Sequence, residues 1–180
     1  FGNDGNISKE KLENCINSDL ANNYGNLCQR VISFTEKNLD LKIPSNFNFI
    51  KDDINILENY KNKFENLINA IDNQDINYYV NFIQEQLFAA NKYFNDQEPW
   101  KKKNDLIRLN TIIYVSLELI RKISILLYPI IPESSLKVLK TLNIYEKNID
   151  INSIKFHDIL EKKKKISKIS ILFKKVENND

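Results

Sequence analysis

Ile112-Ile113-Tyr114-Val115-Ser116-Leu117-Glu118-Leu119-Ile120-Arg121-Lys122-Ile123-Ser124-Ile125-Leu126-Leu127 is apolar nearly all round a helical wheel, the pattern of a helix surrounded by other helices. Read back to its first turn, it predicts a helix from about Trp100 to Leu127 at the centre of the fold. Pro129 and Pro132 stop it, and Pro132-Glu133-Ser134 opens a short helix to about Leu142, with proline at an early helical position.

Outward from this centre, three more amphipathic segments precede it. Ile7-Ser8 followed by Leu12 reads as a staple and N-cap. Leu12, Ile16, Leu20, Tyr24, Leu27, Val31 and Phe34 then recur in steps of three or four, one helical face running to about Leu39. Lys42–Asn48, with Pro44, is a linker. A second helix is expected from about Lys51 to Ile71, a turn at Asp72–Gln74, and a third helix from about Asp75 to Phe94, broken at Asn95–Pro99. Beyond Tyr145 the periodicity fades; Ile169–Phe173 is a short apolar tail expected to fold back. The sum is an all-α, up-and-down helical bundle of four long helices, a short fifth helix and a C-terminal tail. It divides into residues 1–7 as a lead-in, 8–143 as the bundle and 144–180 as an extension packing on it.

Composition agrees with this and removes several chemistries. Three Gly and four Pro in 180 residues leave little for tight turns. The absence of Met, even at position 1, suggests a piece of a longer chain. Cys15 and Cys28 lie on one helix, about 20 Å apart, whereas a disulfide needs Cα atoms within about 7 Å. Two reduced thiols fit a cytoplasmic setting. His157 is the only histidine and no Cys-x-x-Cys occurs, so no ordinary zinc site is expected. A Ser–His–Asp triad would have to use that histidine, and no glycine-rich phosphate loop is present. No catalytic residue, metal or cofactor is therefore expected in this chain. No apolar run approaches the length of a membrane span. The net charge of +2 is too small to diagnose nucleic acid, and no DNA partner is expected. Asn, Ile and Lys make up over two fifths of the chain, so a lone Asn or Lys carries little weight.

Helix direction brings certain residues together. With helix one running up, two down, three up and four down, the Asn95–Pro99 corner meets the upper half of helix one. Asn26 and Arg30 sit there, four apart on one face. Trp100, the only tryptophan, stands at the corner, followed by Lys101, Lys102, Lys103 and Arg108. Aromatic, arginine, amides and lysines at one end suit unpaired nucleotides, whose bases stack on rings while cations hold phosphates.

These residues also resemble a known family, the C-terminal anticodon-binding domain of methionyl-tRNA synthetases, which are class I aminoacyl-tRNA synthetases. The blocks are Phe1-Gly2-Asn3-Asp4-Gly5-Asn6-Ile7-Ser8, similar to the junction leaving the catalytic half; Asn17–Leu27 with Arg30; Asn91-Lys92-Tyr93-Phe94 with Gln97-Glu98-Pro99-Trp100; and Leu127–Pro132. The resemblance implies that Trp100, after Pro99, stacks on the first anticodon base, that Asn26 and Arg30 hydrogen-bond anticodon nucleotides, and that Asn95 occupies a corner position sometimes acidic. Leu172-Phe173-Lys174-Lys175 departs from the family's Phe-Pro-Arg-like ending. It further implies recognition of the CAU anticodon of tRNA(Met), a partner catalytic domain in the same chain, and a parent ligase using ATP with Mg²⁺ elsewhere.

Ordinary readings stand beside these. Trp100 could pack a loop, Arg30 could pair with Glu36, and Lys101–Lys103 could be a solvated helix start. Lys165-Ile166-Ser167-Lys168 looks like a KMSKS loop but stands far downstream of where one belongs, and reads as a lysine-rich surface tail. The bundle of a related synthetase, for valine, isoleucine, leucine or cysteine, and a non-enzymatic helical interaction module using Trp100 as a docking anchor are the other readings.

Overall fold

The computed structural model describes residues 8–176, so the lead-in 1–7, including Ile7, and residues 177–180 lie outside it. The expected first helix is one continuous rod in three parts: α1 (Lys9–Cys15), a π-helical stretch (Ile16–Gly25) and α2 (Asn26–Leu39). Ser8 caps it, its hydroxyl accepting from the Lys11 N–H at 3.2 Å. The wide π turns were not legible from spacing, which registers only that apolar residues recur every three or four positions. Neither cysteine is bridged: Cys15 is exposed and Cys28 buried, its thiol pKa pushed up by burial.

The predicted second helix is two helices, α3 (Lys51–Asn62) and α4 (Phe64–Asp72), broken at Lys63. Lys61-Asn62-Lys63 offers no buried side chain, and asparagine is a poor helix former whose side chain competes for backbone partners. The break costs little and lets Phe64, Leu67 and Ala70 turn inward. The third helix, α5 (Ile76–Gln97), runs three residues past its predicted end, to a left-handed Glu98 at φ 45°. The central helix, α6 (Leu106–Leu127), begins six residues later than expected. Pro99–Lys101 forms a single 3₁₀ turn. Asp105 is the true N-cap, its carboxylate accepting from the Arg108 N–H at 3.0 Å. Pro132–Thr141 is α7.

Central placement of α6 holds. Every residue from Thr111 to Leu127 is buried, each large aliphatic contributing about 1.5–3 kcal/mol. Its polar members are buried too, which "apolar nearly all round" conceals. Glu118 accepts from the backbone N–H groups of Ile159 (2.9 Å) and Leu160 (2.8 Å) and from Arg121 Nε (2.7 Å). Arg121 donates on to the Ser153 hydroxyl and to the Ser153 and Phe156 carbonyls. Lys122 Nζ donates to the Ile154 carbonyl (2.6 Å) and the Leu57 carbonyl (3.3 Å), beneath the Tyr60 ring. Burial, with Arg121 alongside, lowers the Lys122 pKa to about 7.

These three charges clamp the segment after α7 to the bundle. Lys165-Ile166-Ser167-Lys168 is correspondingly not a loose surface tail. Ile166 is buried, its N–H donates to the Leu41 carbonyl (2.8 Å), and Lys42 and Lys165 form an antiparallel bridge. Farther on, Phe173 lies against Tyr24 with ring centroids 6.3 Å apart, and Asn17 grips the Val176 backbone through both amide atoms.

Candidate nucleic-acid interface

Helix one and α5 run side by side and are joined by amides. Asn91 Nδ2 donates to Asn23 Oδ1 at 2.7 Å. Seven residues along helix one, Arg30 Nη2 donates to Asn95 Oδ1 at 2.6 Å. The Arg30 guanidinium sits 5.2 Å from the centroid of the Phe94 ring, and Trp100 meets the same ring edge-on with centroids 6.2 Å apart. Phe94 is thus the buried hub that fixes both an arginine and an indole. Its position in the Asn91–Phe94 block was visible in the sequence, but its role as hub was not, because that depends on how two helices cross.

Trp100 is held but not covered. Pro99 beneath it is buried, and 42% of the tryptophan surface remains open. An indole packed on Phe94 with much of its surface in water loses little entropy when a planar ligand arrives. Arg30 does not pair with Glu36, which is bound to Lys168. Its remaining N–H groups stand over a ring in a partly exposed position, free to donate to an acceptor in the fork geometry arginine offers.

The cations near the corner divide. Lys101, Lys102 and Lys103 are exposed on the connecting turn and not on a helix start; Lys101 pairs with Glu98 at 2.8 Å, and Lys102 and Lys103 have no ion-pair partner among the described residues. Arg108 does not belong with them. Its guanidinium donates to both Asp53 oxygens (2.5 and 3.0 Å) and to Gln97 Oε1 (2.6 Å). Asp53 is fully buried and also accepts from the Tyr93 hydroxyl (2.5 Å) and the Ile50 N–H (2.9 Å). Three of its five N–H groups are used inward, so Arg108 anchors Asp53 and Gln97, whereas the lysines stand open to solvent. Asp53 stands outside every motif in the sequence, and its need for a cation was unreadable there.

Asn26 is exposed one turn before Arg30 and borders a different surface. With Asn22, Gly25 and Gln29 it forms one wall of a polar cleft of about 520 Å³, whose other wall is Leu172, Phe173 and Lys175. Gly25 makes that wall possible: a Cβ there would stand 3.2 Å from both the Phe173 ring and the Leu20 carbonyl. The tail thus contributes to the same end of the bundle. A larger apolar cavity of about 690 Å³, lined by Ile68, Ile76, Tyr79 and Pro129, lies at the opposite end of α5.

Comparison with known proteins gives the family of the chain. The family model described as the anticodon binding domain of methionyl tRNA ligase matches residues 43–180. Methionine–tRNA ligase of Brucella suis biovar 1 is 38% identical over 145 residues, covering 80% of this chain and 28% of its own length. That of Thermotoga maritima is 33% identical over 149 residues, covering 82% and 24%. The apo (free-state) structure of Mycobacterium tuberculosis methionyl-tRNA synthetase superposes with a TM-score of 0.90 at 31% identity, over 98% of this chain and 36% of that one. A second structure of that enzyme, bound by methionyl-adenylate, gives 0.86 at 30% identity, over 93% and 34%. The chain thus spans between a quarter and a third of the length of the curated relatives.

Proposed function

Because the chain belongs to the family of anticodon-binding domains of methionyl-tRNA ligases, we propose that its Trp100 corner reads the CAU anticodon of tRNA(Met) for a parent methionine–tRNA ligase acting in the cytoplasm. In this reading Trp100 receives the first anticodon base on its open face, and buried Pro99 sets the indole's stance. Arg30 donates to an anticodon base or sugar, with Asn95 holding one of its N–H groups in line. Asn26 offers its amide from the neighbouring cleft, and Lys101, Lys102 and Lys103 lie where loop phosphates would pass. The reaction itself, with ATP and Mg²⁺, belongs to a catalytic domain in the rest of the parent, and one solved relative is bound by methionyl-adenylate.

The observation that carries this reading is the convergence of Arg30 and Trp100 on the single buried ring of Phe94, with Asn95 accepting from Arg30. A base needs both a face to stack on and a donor at its edge, and Trp100 and Arg30 offer one of each against the same ring.

Trp100 is the chain's only tryptophan, so its emission reports directly. Titration with a stem-loop RNA whose loop carries CAU should quench it, and a loop changed at the first anticodon base should quench it less. Trp100→Ala should weaken binding roughly five- to a hundredfold, the range of one base–aromatic stack. Emission unmoved by any loop, or quenched equally by all of them, overturns the assignment.

A further inference from the structure

We infer that Phe88 is a second base-stacking platform, receiving an unpaired base of the same RNA loop that Trp100 engages; the inference rests on the anticodon-reading function proposed above. Phe88 is 68% exposed, more than any other aromatic side chain among the described residues. It makes no ring or cation contact there, whereas Phe34, Phe47, Phe49, Phe64, Phe82 and Phe94 all do. A single exposed apolar side chain is ordinary on a folded surface; what singles Phe88 out is its place beside the Arg30–Asn95 pair.

Its position says what covers it. Phe88, Asn91 and Asn95 are related as i, i+3 and i+7 on α5, so Phe88 projects within about 20° of Asn95 and roughly 10 Å back along the helix. Asn91 and Asn95 are the two amides that join α5 to helix one, through Asn23 and Arg30. The strip from Phe88 to Trp100 therefore has an aromatic ring at each end and hydrogen-bonding amides with one arginine between them. The roughly 10 Å from Phe88 to Asn95 alone matches about three nucleotide steps along a strand. That is the spacing of a surface that holds a short run of splayed bases.

The sequence does carry a sign of this: Phe88 follows Leu87 directly and stands off the apolar face of Tyr79, Phe82, Ile83, Leu87, Ala90 and Phe94, with Gln84, Glu85, Asn91 and Lys92 at its helical neighbours.

The test uses the 180-residue chain, the CAU stem-loop and variants of the loop with a single abasic nucleotide at each position. Phe88→Ala and Phe88→Leu should both weaken binding roughly five- to a hundredfold, Leu no less than Ala, because an aliphatic group has no face to stack. Phe88→Trp should bind at least as well as the native chain. Thermal unfolding should be unchanged, since the ring is exposed. One abasic position should lower native affinity and show no further loss with Phe88→Ala, which names the base. Failure of the native chain to bind the stem-loop overturns the underlying reading of the Trp100 corner. Native binding with Phe88→Leu unimpaired, or with losses additive at every abasic position, leaves that reading standing and overturns the platform.

Discussion

Arg108→Met tests the division between structural and RNA-facing cations at the corner. In the native protein this guanidinium makes two charge-assisted bonds to Asp53 and a third to Gln97. Its side chain is 14% exposed and that of Asp53 is 0%. Methionine fills much of the volume but strands a carboxylate that keeps only the Tyr93 hydroxyl and the Ile50 N–H. Breaking a buried pair by removing one partner costs about 3–5 kcal/mol. The slight exposure of Arg108 admits some water, so the lower end, about 3 kcal/mol, applies. For a domain of this size each kcal/mol moves the Tm by about 2–4 °C, so thermal unfolding followed by circular dichroism should fall by about 6–12 °C. Binding of the CAU stem-loop, measured well below the new Tm, should keep its native dependence on salt. If Arg108 instead contacts a phosphate, the slope of log K against log salt drops by about one and the Tm barely moves. That second pattern would refute the argument.

Three further outcomes are expected. Lys122 has a folded pKa lowered to about 7, against about 10.5 unfolded, so between these values the unfolded chain holds the extra proton and stability should rise with pH, on the order of 4 kcal/mol by pH 10; guanidinium midpoints from pH 7 to 10 check this, and a rise that survives in Lys122→Met refutes it. Above pH 10 the trend should reverse, because burial raises Tyr79 to about 12 and pushes up Tyr24, Tyr60, Tyr93 and Tyr114, and ionising them favours the unfolded chain. Gly25→Ala should displace the Phe173 ring and weaken stem-loop binding severalfold, while the Tm stays within a few degrees because alanine improves the helix by up to about 1 kcal/mol; unchanged affinity would remove the tail from the site.

The bundle was legible because its apolar residues recur at helical spacing and α6 repeats them on all faces. What escaped is where the sequence is ambiguous to a one-dimensional reading. The start of α6 was placed at Trp100 because Trp and Lys tolerate helices, although Asp105 before Leu106 is the stronger start signal. The break at Lys63 falls in an unbroken three-to-four rhythm, and only packing against α5 decides it. Of the candidate site residues, Trp100, Asn26, Arg30 and Pro99 come from their blocks and Asn95 from the corner between two of them. The ion pair of Arg108 could not be read from the sequence, because its buried partner, Asp53, lies 55 residues away and nothing local marks it. The clamp of Glu118, Arg121 and Lys122 was hidden for the opposite reason: three polar letters in an apolar helix look like exceptions to be tolerated, when they are the groups that hold residues 153–160.

The contact of Phe173 with Tyr24 and Gly25 has a consequence for the order in which the molecule assembles. It joins residues about 150 positions apart, and a closure that long comes late in folding. Helix one can settle on α5 and α6 through neighbours nearer in sequence, but the second wall of the Asn26 cleft must wait until the strap from 151 to 168 is seated on α6. A chain with a complete bundle and an unseated strap would carry the Trp100 corner intact beside a half-built cleft. Its grip on the tail is short: Ile169 and Leu172 against the core, Phe173 on Tyr24 and Asn17 on the Val176 backbone. Opening of residues 169–176 should therefore need far less free energy than global unfolding, and RNA that requires the closed cleft should slow amide exchange in that segment first.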